Sequence, residues 1–230
     1  MRSRCNHATN VTEPETQIGL RLPPQVRAAA LSAVGGSRLS HEFAWMSWAG
    51  TVWRLEGDAG TVYVKRAAEL SGERDRTVWL GGRLPVPEVI GLFHAFGDDW
   101  LLTRAVAGVT HNDTSLGWDA ERVARRLGEI LREIHAVDAA DCPFGVRRPG
   151  HVLIHGDYCL PNVLVKDGRL SGLIDLGLAG LGDPLDDLAA GVWTLQYNYG
   201  TGHAREFLDA YGFPPMGDKA IARLRRRYSR

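Results

Sequence analysis

The sequence predicts an α+β fold in two lobes, a small antiparallel β-rich lobe followed by a mainly helical one. Three observations predict it. Short runs of β-branched and aromatic residues, separated by glycine turns, fill the N-terminal part of the chain. An apolar stripe at helical spacing begins after Asp119. Between them, the segment Arg104 to Gly108 has a flexible glycine and breaks both patterns, which marks the lobe boundary. The expected division is a loosely ordered polar stretch over 1–17, an N-terminal lobe over 18–106 and a C-terminal lobe over 107–230.

Taken in order, Pro23-Pro24 opens a short helix through Val34 that Gly35-Gly36 stops. Strands are expected over Glu42–Trp48, Thr51–Glu56 and Thr61–Arg66, with turns at Gly50 and at Gly57-Asp58-Ala59-Gly60. A helix follows from Leu70 to Leu80, carrying Glu73 in its first turn, where a carboxylate suits the positive end of the dipole. Val89–Phe96 and Trp100–Arg104 form a second hairpin around Gly97-Asp98-Asp99. In the longest helix, Asp119 to about Val137, residues Val123, Leu127, Ile130, Leu131 and Ile134 make one core-facing stripe. His135 at its end reads as a cap or core histidine.

The chain has 230 residues, enough for a sizeable core, and 27 basic against 27 acidic side chains. The zero net charge supplies no global field for nucleic acid or an anionic membrane, so neither is expected as a partner. No run approaches the roughly 18 apolar residues of a membrane helix. Three scattered cysteines, Cys5, Cys142 and Cys159, make no disulfide framework, and a soluble cytoplasmic protein is the simplest expectation.

The chemistry concentrates in Val152 to Gly177. Val152-Leu153-Ile154 delivers His155-Gly156-Asp157, Asn162 lies five residues on, and Leu173-Ile174 delivers Asp175 thirteen residues later. Lys166-Asp167-Gly168-Arg169 is a hairpin turn by composition, which puts both acid-bearing turns at one edge of a small β ribbon. Either acid turn alone reads as a polar strand cap. With Asn162 between them, they suit Mg²⁺ and phosphate. A carboxylate and an amide carbonyl hold a hard cation, while a separate carboxylate, Asp157, accepts the acceptor hydroxyl's proton. Lys65, from its strand alone, reads as a solvated strand-end lysine. Alternation puts it on the face of Tyr63 and Thr61 and does not decide its role.

The block HGDYCLPNVLVKDGRLSGLIDLGLAGLGDPLDDLA, with LSGERDRTVWL, PVPEVI and LLTRAVAGV upstream, resembles the aminoglycoside phosphotransferase family over about Phe43 to Tyr211. The nearest likeness is to its 3′-phosphotransferases acting on kanamycin and neomycin. That resemblance implies a protein-kinase-like two-lobed fold and transfer of the ATP γ-phosphoryl to a small-molecule hydroxyl, with an aminoglycoside as acceptor. It implies Asp157 as base, Asn162 and Asp175 as Mg²⁺ ligands, Lys65 on the ATP phosphates and Glu73 holding Lys65. Thr103 to Val106, including Ala105, becomes the segment whose backbone meets adenine. Ser47 and Gly50 stand at the phosphate-covering turn, His155 braces the catalytic loop, and Asp187 is structural.

The chain departs from that family in three places. The phosphate-covering turn reads Met46-Ser47-Trp48-Ala49-Gly50, with a bulky tryptophan where close backbone approach is wanted. Only Gly-Val-Arg-Arg-Pro-Gly joins Phe144 to His151, where relatives carry a helical insert. Residues 217–230 hold six basic side chains against Asp218, in an expected amphipathic helix with Ile221, Leu224 and Tyr228 inward. Two other readings stay open: a kinase for another hydroxyl compound (macrolide, sugar or amino alcohol), and a non-catalytic nucleotide-binding protein.

Overall fold

Alternation in the N-terminal part builds an antiparallel sheet. In the computed structural model, the described residues are 21–47 and 50–228, the side chain of Ser47 excepted. The expectation for 1–17 therefore lies outside them, as does Trp48. Contacts divide the chain into two units, one reaching Gly81 and including Val86–Val106, the other comprising Gly82–Pro85 and Ala107 onward.

The first unit contains α1 (Pro24–Val34), β1 (Ser40–Ser47), β2 (Gly50–Gly57), β3 (Gly60–Ala67), α2 (Ser71–Leu80), β4 (Val89–Ala95) and β5 (Asp98–Arg104). The five strands form one antiparallel sheet in the order β1-β2-β3-β5-β4. Its two faces differ in kind. Trp53, Leu55, Val62, Val64, Trp100 and Leu102 form one core with Val26, Ala30 and Val34, the i, i+4, i+8 stripe of α1. Trp53 and Trp100 stack within it at 6.2 Å between ring centroids. Val52, Lys65 and Leu101 are register partners in adjacent strands, all buried, and so share the opposite face.

The second unit holds β6 (Val109–Thr110), α3 (Ala120–His135), β7 (Val152–Ile154), β8 (Val163–Lys166), β9 (Arg169–Leu173), β10 (Gly180–Gly182), α4 (Pro184–Tyr199), α5 (Ala204–Tyr211) and α6 (Asp218–Tyr228). Asp119 caps α3 by accepting the Arg122 N–H at 2.8 Å, and the whole predicted stripe is buried. The β8–β9 hairpin forms as expected, with β6 added at its edge. One expectation is corrected. β7 pairs with β10 in a ladder of its own and is not part of the ribbon, yet the turn after it still brings Asp157 against Asn162. The short link after Phe144 is tied to the same ladder, with the Val146 N–H donating to the Leu181 carbonyl.

The helix α4, on which the family resemblance placed Asp187, is not signalled by periodicity. Asp187 through Leu195 are all buried, so the helix has no polar face and no amphipathic period to detect. Its start was nonetheless written in sequence: Asp183 caps it through the Leu185 N–H and Pro184 occupies the first helical position. No helix among the described residues is long and apolar enough to cross a membrane.

Candidate active site

The loop after β7 is fixed by backbone hydrogen bonds to one buried acid. Asp187, fully buried on α4, accepts the N–H of His155 at 2.7 Å and of Gly156 at 2.8 Å. It also meets Nε2 of His135 at 3.2 Å, and the other ring nitrogen of His135 faces the Tyr211 hydroxyl. A fully buried carboxylate holding two backbone donors is a strong local clamp. It accounts for Asp187 as a structural acid and for His135 as a core histidine.

His155 continues the brace. Its Nε2 lies 3.1 Å from the Ile174 carbonyl, and its Nδ1 accepts the Asp157 N–H at 3.3 Å. These partners define the neutral tautomer with the proton on Nε2. One ring therefore ties the loop of Asp157 to the strand end that delivers Asp175. Gly156 adopts φ +83°, and a Cβ there would stand 2.6 Å from the Leu178 carbonyl, so the close approach requires glycine.

Asn162 closes a short 3-10 turn, Leu160–Asn162, directly before β8. Its Nδ2 donates to the Asp157 carbonyl at 2.9 Å and to Asp157 Oδ2 at 3.3 Å, while its own carbonyl accepts the Ile174 N–H at 3.0 Å. Asp175 follows in the left-handed region at φ +60°, a costly conformation for a residue other than glycine and one that marks functional turns. Asp157 and Asn162 are 7% and 1% exposed. The side-chain carbonyl of Asn162 is buried with no hydrogen-bond partner.

That orphan oxygen tests the fit of a metal. A buried amide carbonyl without a donor costs free energy, and a hard cation is one way to satisfy it. No cluster of three His, Cys, Asp or Glu side chains suited to a metal exists among the described residues. An amide oxygen with one carboxylate is instead the sparse set that Mg²⁺ uses when phosphates complete its shell. The donor set fits.

In the first unit, Lys65 Nζ lies 2.6 Å from Glu73 Oε2, and their side chains are only 10% and 13% exposed. The solvated strand-end reading of Lys65 is overturned. Its face is covered, and α2 brings the carboxylate that lets an ammonium remain charged there. Gly50, at φ +155°, lies where a Cβ would meet the Arg66 carbonyl at 2.1 Å, so its smallness serves the passage of β2 along β3. Ser47 pairs with Gly50 across the β1–β2 turn. Thr103 lies inside the ladder opposite Tyr63 and Val89. The Ala105 N–H is spent on the Thr61 carbonyl at 3.1 Å, so it is not an outward donor for adenine.

One contact was not legible in sequence. The inward side of α6 is as expected, with Leu224 buried, but its Tyr228 hydroxyl donates to Asp157 Oδ1. The amphipathic pattern says that Tyr228 turns inward, not what it meets. Beside α6, a cavity of about 400 Å³ is walled by Gln196, Arg205, Arg225 and Arg226, with Asp218 as its acid.

The family model described as "Phosphotransferase enzyme family" matches residues 42–150 and 146–226. An aminoglycoside 3′-phosphotransferase of Niallia circulans is 25% identical over 196 residues, covering 66% of this chain and 75% of that protein. The crystal structure of an aminoglycoside-3′-phosphotransferase of type VIII superposes with a TM-score of 0.68 at 25% identity, over 87% of this chain and 98% of the other. A thermostable mutant of aminoglycoside phosphotransferase APH(4)-Ia, in ternary complex with AMP-PNP and hygromycin B, shares the fold at a TM-score of 0.58 and 16% identity, over 90% and 97% of the chains. With the antiparallel sheet unit, the helical unit and the Asp157–Asn162–Asp175 arrangement, these findings make the chain a member of the phosphotransferase enzyme family, with its kinase-like fold.

Proposed function

We propose that the protein transfers the γ-phosphoryl group of ATP to a hydroxyl of a small molecule, with an aminoglycoside as acceptor, which would confer resistance by O-phosphorylation. The observation that carries the reading is the buried Asp157–Asn162 pair, whose Nδ2–Oδ2 contact leaves the Asn162 carbonyl oxygen unpartnered.

In this reading Asp157 accepts the acceptor hydroxyl's proton as the phosphoryl group departs from ADP. Asn162, besides offering its carbonyl, orients the Asp157 carboxylate through its amide. Asn162 and Asp175 would hold Mg²⁺, which would supply charge neutralisation on the nucleotide phosphates. Lys65, kept charged and directed by Glu73, pairs with nucleotide phosphate. Ser47 and Gly50 supply the phosphate-covering turn. The Thr103–Ala105 segment meets adenine through groups other than the committed Ala105 N–H. Positioning and electrostatics do the work, and no covalent enzyme intermediate is needed. AMP-PNP bound by a relative of the same fold supports ATP as donor.

Asp157→Asn tests the reading. ADP release with kanamycin A and MgATP should fall by about 10²–10⁴-fold, the range for a lost general base, while AMP-PNP affinity stays within about twofold. Undiminished turnover would remove Asp157 from the role. The six basic side chains of residues 217–230 favour a second reading of the acceptor, a neutral or anionic hydroxyl compound, because a basic tail lining the acceptor site would repel a polycation. Measuring ADP release across kanamycin, neomycin, a macrolide, a sugar and an amino alcohol decides between the two.

A further inference from the structure

Asp157 is not waiting with an open carboxylate. Its Oδ2 lies against the Asn162 amide, and its Oδ1 takes the hydroxyl hydrogen of Tyr228, 71 residues further along the chain. A base can take a proton only from a hydroxyl at hydrogen-bond distance. The phenol makes the contact that an acceptor hydroxyl must make.

The Tyr228 hydroxyl also lies 3.5 Å from Cys159 Sγ, and two holds keep its ring and its helix turn in place. Its ring lies tilted against Trp193 of α4 at 5.4 Å, and Trp193 is stacked in turn on Tyr197 at 5.0 Å. The neighbouring Arg227 meets Asp186 at 2.5 Å and Asp183 at 2.8 Å, both at the start of α4. The first hold is apolar and ring-shaped. The second is a partly exposed ion-pair fork, weaker and sensitive to salt. The last turn of α6 is thereby latched by a contact of modest strength.

We propose that Tyr228 is a specificity-determining residue of the acceptor half-site: its hydroxyl keeps the acceptor's place on Asp157, excludes water from that carboxylate, and must be displaced by an incoming hydroxyl. This rests on the reading of Asp157 given above. An acceptor that reaches the base exchanges one hydrogen bond for another, so only a molecule with further contacts gains by entering. Water has none, and transfer to water is suppressed.

Two variants separate the hydroxyl from the latch. Tyr228→Phe keeps the ring on Trp193 and removes only the hydroxyl. Arg227→Gln releases the fork and leaves Tyr228 intact. Two measurements are made on the full chain of each. The first is carbodiimide labelling of Asp157, read by peptide mass spectrometry and independent of turnover. The second is ADP release from MgATP with no acceptor added. Tyr228→Phe should raise both by about tenfold, the factor one hydrogen bond of ordinary strength allows, with a smaller rise in Arg227→Gln. In the presence of kanamycin A, KM should fall in Tyr228→Phe with kcat little changed. Unchanged labelling in Tyr228→Phe overturns the proposal, as does a fall in kcat, which would make the phenol an assistant of the reaction. Increased labelling with no ADP formed by any form of the protein would support the displaced-phenol contact while sinking the phosphotransfer reading itself.

Discussion

At the scale of single residues, buried polar groups with defined partners brace the second unit. Asp187 is the clearest, with two backbone donors of the His155-Gly156 turn on its carboxylate. His111 is a counterpart of opposite kind. It is fully buried, edge-on to Trp118 at 5.4 Å, with Nε2 facing the Val123 carbonyl at 3.1 Å. Burial, aided by the nearby Arg126 charge and opposed by the Val123 hydrogen bond, pushes its imidazole down to about 4. The unfolded chain keeps an ordinary value near 6.5. Its unfolded state therefore binds a proton that the folded state refuses. The associated stability is complete above pH 6.5 and is lost as pH falls towards 4, by about 3 kcal/mol in all. Urea titrations between pH 7 and 5 should show this slope, and His111→Gln should flatten it while lowering stability throughout.

At the scale of elements, the close packing of α3 on α5 depends on Gly128. A Cβ there would lie 2.3 Å from the Phe207 carbonyl and 3.0 Å from the Ala210 side chain. Gly128→Ala would gain about 1 kcal/mol of helix propensity, yet overpacking against backbone costs about 1–3 kcal/mol. The overpacking wins. The variant should unfold at lower urea, by up to roughly 2 kcal/mol, with an unchanged m value. A rise in stability would show that α5 shifts freely. Helix α3 was legible because one face is apolar and the other charged. Helix α4 was not, because Asp187 to Leu195 is buried on every side and carries no period. The ladder of β7 with β10 was missed for a related reason: Gly180–Gly182 has two glycines in three residues and no strand-like composition.

At the scale of the whole molecule, the balanced charge hides local order. The basic tail is partly neutralised within its own unit, with Arg227 on Asp183 and Asp186. A nucleotide that binds the folded chain alone stabilises it by mass action. MgATP at about 100 times its Kd should add about 2.7 kcal/mol. For a chain of this size that corresponds to a melting shift of roughly 5–10 °C. If Asn162 and Asp175 hold Mg²⁺ as proposed, removing the metal with a chelator should remove most of the shift, because the nucleotide phosphates would then be unshielded. An equal shift with and without the metal would argue against that pair as its ligands.

By itself, the sequence determined the features written in local order. The alternation of β2 and β3, the stripe of α3, the caps at Asp119 and Asp183, and the spacing of Asp157, Asn162 and Asp175 all lie within a few turns or one hairpin. The tertiary structure decided which of these groups are paired. Lys65 is a buried ion-pair partner only because α2 covers its face with Glu73. The turn of Asp157 is rigid only because α4, a helix without polar period, passes Asp187 beneath it. Tyr228 rests on Asp157 only because α6 packs along α4. The physical reason is the same in each case. Periodicity reports which side of an element is turned inward, whereas a hydrogen bond between distant residues depends on which other element fills that side.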